Sequence, residues 1–150
     1  MKILVLLLAT SLTTTLSAQQ ISKEIKTCKV DHVNRVPYDL ISSGRGLSDP
    51  IETGLRIVVA PKFYNAKDME ELAHILRLQY CQENHLSVVI FDAAKPAKEA
   101  RAVVDQLTGK RAVPELRGFY SLDRTTDIEK MSFSTKRGNP TDEVKIQFGK

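Results

Sequence analysis

Two short apolar runs, LRIVVA at Leu55–Ala60 and LSVVIF at Leu86–Phe91, bracket a single helical stripe. This arrangement constrains the chain more than any other feature. Each run has strand length and is rich in β-branched residues; Pro61 closes the first and Asp92 the second. Nearly continuous apolar runs of this kind suit strands covered on both faces, the usual state of a parallel sheet. Between them Met69, Leu72, Ala73, Leu76 and Tyr80 recur at helical spacing. Asn65 stands where an N-cap is needed, with Asp68 in the first turn, and Asn84 is the stop. The segment predicts a β-α-β unit with parallel strands and a right-handed crossover.

The pattern then changes. A second helix is expected from near Pro96 to Leu107, ended by Thr108-Gly109, with Ala97, Ala100, Val103, Val104 and Leu107 on its buried side. Glu115–Asp123 and Ile128–Thr135 flank Arg124–Asp127, which has hairpin-turn composition. Glu143–Phe148 alternates, with Val144, Ile146 and Phe148 on one face. The expected class is α/β, with α+β as the alternative. The order is β-α-β-α-β-β-β, a mixed sheet with two helices, parallel first strands and a C-terminal antiparallel meander.

The beginning of the chain has another character. Residues 1–18 combine Lys2, an apolar run from Ile3 to Ala9, a Thr/Ser-rich stretch and a small residue at Ala18. That is the layout of a secretory signal peptide, and the run falls short of the roughly 20 residues a membrane span needs. Cleavage after Ala18 removes Lys2 and takes the net charge from +4 to +3. Residues 19–50 show no sustained period and end in the turn-rich Ser42–Pro50; they are expected to drape over the domain as an arm. The division is thus signal peptide 1–18, arm 19–50 and one α/β domain 51–150, exported and soluble, in the periplasm or outside the cell.

Composition narrows the function classes. An apolar share of 42% excludes a disordered chain, and two cysteines exclude a disulfide-dense scaffold. The basic clusters, Lys23–Lys26–Lys29, Lys110-Arg111 and Lys136-Arg137, are small and lack flanking aromatics, so nucleic acid is not the expected partner. The sequence has no P-loop, no G-x-G-x-x-G, no G-x-S-x-G and no H-E-x-x-H, and no cofactor is expected.

Three chemical readings remain. Export favours a Cys28–Cys81 disulfide that staples the arm to the domain. Because His32 and His85 each follow a cysteine by four residues, Cys28, His32, Cys81 and His85 are also a candidate zinc set. Ligands of open parallel sheets bind beyond the carboxyl ends of the strands. That edge carries Lys62 and Asn65 after the first run, and Asp92 and Lys95 after the second. Asp92 is expected to cap the second helix; the alternative is that Asp92 with Lys62 is the acid/base pair of a small hydrolase, with Asn65 and Lys95 as ligand contacts. The leading expectation is a non-catalytic domain that binds a protein or a small anionic ligand.

Overall fold

The first strand begins earlier than its apolar run. The computed structural model describes residues 25–31, 35–45 and 52–149. Its first sequence-predicted strand spans Glu52–Val59, and every second side chain from Thr53 to Val59 is buried. The extension follows from a neighbour. Tyr38–Arg45, part of the stretch expected to drape as an arm, is itself a strand, β1, paired antiparallel with Glu52–Val59, β2. No apolar run marks β1, because it lies at the sheet edge, where the backbone ladder supplies the pairing. Leu40 stays largely in water, and a register shift between Leu40 and Ser42 bulges the strand.

Helix α1, Ala66–Gln79, follows β2. Asn65 caps it as the sequence predicts, its side chain accepting from the Asp68 N–H at 3.1 Å. Strand β3, His85–Phe91, runs parallel to β2. The expected second helix is interrupted: α2 spans Ala94–Lys98 and α3 spans Ala102–Leu107. Arg56, on β2, explains the break. Its guanidinium donates to the carbonyls of Ala97, Glu99 and Ala100, so those oxygens find a partner without a continuous helix. The change of axis turns Val104 and Leu107 into water, at 54% and 69% exposure, and the expected buried stripe holds only in part.

The meander forms as predicted. β4 is Leu116–Asp123, β5 Ile128–Ser134 and β6 Glu143–Phe148. Among the described residues six strands lie in chain order, β2 and β3 parallel and every other neighbouring pair antiparallel. The Asp123 carboxylate organises the β4–β5 turn, accepting from the N–H groups of Thr125 and Thr126 and from the Thr125 hydroxyl.

One face of the sheet packs on α1. Leu55, Ile57, Leu86, Val88, Ile90 and Tyr120 meet Met69, Leu72 and Leu76 there. Each fully buried side chain of this kind contributes about 1.5–3 kcal/mol. A smaller cluster on the second face gathers Phe91, Ala97, Ala102 and Val113 beneath α2 and α3. Cys28 and Cys81 form a disulfide, with Cα atoms 6.1 Å apart. The Cys28 N–H also donates to Gln79 O at 2.7 Å, so the segment before β1 is tied to the end of α1 twice. No helix among the described residues is long and apolar enough to cross a membrane.

Candidate functional site

Because β2 and β3 are parallel, Val59 and Phe91 finish at the same edge of the sheet. Asp92 follows directly and is buried, but it caps nothing. The N-cap of α2 is Ala93, with no side-chain capping bond. Both Asp92 oxygens are instead held by arginines. Arg117 Nη1 donates to Oδ2 at 2.6 Å, and Arg137 donates from Nε at 3.0 Å and from Nη2 to Oδ1 at 2.6 Å. Arg117 is equally committed, because its Nε and Nη2 donate to the carbonyls of Ser134 and Thr135.

A bulge puts Arg117 in place. Ile90 pairs with Gly118 and Phe91 with Leu116, so Arg117 is the extra residue on β4 and its side chain turns inward. Gly118 is needed beside it: a Cβ there would lie 2.5 Å from Ser132 O. The Tyr64 ring closes the cluster from below, 4.1 Å from the Arg117 guanidinium carbon, and its hydroxyl donates to Phe91 O. Burial pushes the Tyr64 phenol up, and the Asp92 charge adds to that rise. The arrangement cross-links β3, β4 and the β5–β6 loop. It leaves no carboxylate oxygen free for proton transfer.

The other edge candidates are dispersed. Lys62 is exposed and stands 4.8 Å from the Phe63 ring, Asn65 caps α1, and Lys95 is exposed on α2. Neither lysine makes an ion pair with Asp92 among the described residues. The cysteines of the zinc set are bonded to each other and so are not thiolate ligands. His32 lies outside the described residues, and His85 faces Asp123. No group of three His, Cys, Asp or Glu among the described residues is placed to hold a metal. The sequence reading missed Arg117 and Arg137 as the partners of Asp92. A long cationic residue next to a glycine inside a predicted strand was the available signal for the first.

A second concavity lies away from this edge. On the second face, β4, β5 and β6 form a groove of about 570 Å³. Cross-strand register lines its floor with two rows, Phe119–Ser132–Lys145 and Ser121–Lys130–Gln147. Lys145 pairs with Glu143 at 3.3 Å, whereas Lys130 has no ion-pair partner among the described residues. One aromatic ring, several hydroxyl or amide groups and two ammonium groups suit a ligand that is part apolar and part anionic.

The same face continues to a polar row of Glu52, His85 and Asp123. His85 Nδ1 lies 3.4 Å from Asp123 Oδ1. Hydrogen bonds from Thr125 and Thr126 hold the Asp123 carboxyl down at about 2. Ser87 donates to Glu52, a carboxylate, and not to the imidazole, so the row lacks the nucleophile–base contact of hydrolytic triads. The chain matches no family model, no curated protein and no solved structure.

Proposed function

We propose that this chain is an exported, non-catalytic binding protein whose second sheet face receives an acidic polypeptide. The observation that carries the reading is the groove across β4, β5 and β6, where Lys130 and Lys145 flank Phe119. Exposed cations around an aromatic floor attract carboxylates and bury apolar side chains between them. Export is supported by the leader-like residues 1–18 and by the Cys28–Cys81 disulfide, a bond typical of oxidising compartments. The commitment of both Asp92 oxygens to arginine favours binding over hydrolysis at the strand ends.

The test is titration of the chain starting at Gln19 with poly-glutamate, followed by amide and side-chain NMR shifts. Shifts concentrated at Phe119, Ser132 and Lys145, weakened by Lys130→Glu and by added salt, are the expected result. Binding that leaves these positions unchanged and moves another surface overturns the reading.

A further inference from the structure

We infer that the partner is an extended segment of alternating acidic and apolar residues, which adds to β6 as a seventh strand. This rests on the acidic-polypeptide reading of the groove and specifies how the partner is held. β6 ends the sheet, so its outer N–H and C=O groups have no strand beside them among the described residues. The two edges of the sheet differ. β1 is bulged between Leu40 and Ser42, and the bulge obstructs further pairing. β6 keeps an uninterrupted register with β5 from Glu143 to Phe148.

The two faces of β6 differ: Val144, Ile146 and Phe148 are partly buried against the core, and Glu143, Lys145 and Gln147 are exposed on the other side. On the second face its exposed Glu143, Lys145 and Gln147 border the groove already described. On the α1 side a second hollow of about 400 Å³ lies between Ile146 and Phe148 and the α1 residues Glu70, His74 and Arg77. A strand laid along β6 would send alternate side chains to these two sides. One set would meet Lys145 and Lys130 and should be acidic. The other would meet Val144, Ile146 and Phe148, each half-buried, and should be apolar. Main-chain bonds then supply affinity and the two hollows supply selectivity.

The same residues disfavour a second copy of this chain. Antiparallel pairing of β6 with itself about its middle sets Lys145 directly or diagonally opposite its counterpart, and like charges there are destabilising. A strand with glutamates at those positions replaces that repulsion with attraction.

The experiment uses the isotope-labelled chain starting at Gln19 and a synthetic peptide of about eight residues alternating Glu and Val, a common strand length. A block peptide of the same composition is the control. The alternating peptide should slow hydrogen exchange of the outward Val144–Phe148 amides about tenfold or more and should shift Phe119 and Lys130. The block peptide should not slow exchange. Lys130→Glu with Lys145→Glu should weaken binding about tenfold, the combined effect of two exposed ion pairs. Shifts at Phe119 and Lys130 without slower exchange in β6 overturn strand addition while leaving the groove as the binding face. Absence of both effects overturns the acidic-partner reading as well. Slow exchange of those amides in the free protein, relieved by dilution or by deletion of residues 19–24, assigns the edge to a second copy or to the chain's own N-terminal segment and also overturns the proposal.

Discussion

Arg117 donates to Asp92 at 2.6 Å, and neither side chain keeps more than 3% of its surface in water. An ion pair this deeply buried contributes little when intact, because desolvation offsets attraction, but removal of one partner strands the other charge. Asp92→Ala should therefore lower stability by about 3–5 kcal/mol, well beyond the roughly 1 kcal/mol of a lost helix cap. Urea unfolding measures this. Arg117→Ala should fall in the same range and Arg137→Ala should cost clearly less, because 47% of the Arg137 side chain is exposed. Equal losses for the two arginines would contradict this account.

Gly118 occupies a position that admits no side chain. A Cβ would lie 2.5 Å from Ser132 O and 2.9 Å from Phe133 Cβ, and neither can move without disturbing the β4–β5 ladder. Gly118→Ala should destabilise by about 1–3 kcal/mol, as overpacking does, with a lower denaturant midpoint and an unchanged slope.

The Cys28–Cys81 bridge spans 53 residues of sequence. In the chain-entropy account, closing a loop of that size stabilises by about 4 kcal/mol. Unfolding with and without reductant should differ by about that amount. Near-native far-ultraviolet dichroism should persist in Cys28→Ser with Cys81→Ser, because Cys28 precedes every strand of the sheet.

Asp123 should titrate at about 2, below its ordinary 3.8, because the hydroxyl of Thr125 and the N–H groups of Thr125 and Thr126 bond its charged form. Since the folded value is the lower one, its contribution to stability is complete above pH 3.8 and is lost as pH falls towards 2. Carboxyl carbon NMR gives the midpoint directly. In Asp123→Asn the stability difference from the native chain should shrink across that window.

Local periodicity determined much of this protein. The apolar runs ending at Ala60 and Phe91, the stripe from Met69 to Tyr80 and the alternation in Glu143–Phe148 specify which backbone segments form β2, β3, α1 and β6, and the last two patterns also specify which side is buried, because each is complete within one element. The Cys28–Cys81 pairing was legible from the cysteine count and the expectation of export. Tertiary structure decided the rest. β1 exists because β2 offers it a ladder, and its own residues carry no strand signal. The helix after β3 breaks because Arg56, more than 40 residues away, takes its carbonyls. Asp92 lost its expected cap to Arg117 and Arg137, 25 and 45 residues further along the chain. Guanidinium groups that reach a buried oxygen offer a charge-assisted bond that a backbone N–H cannot match, and no local window contains that competition.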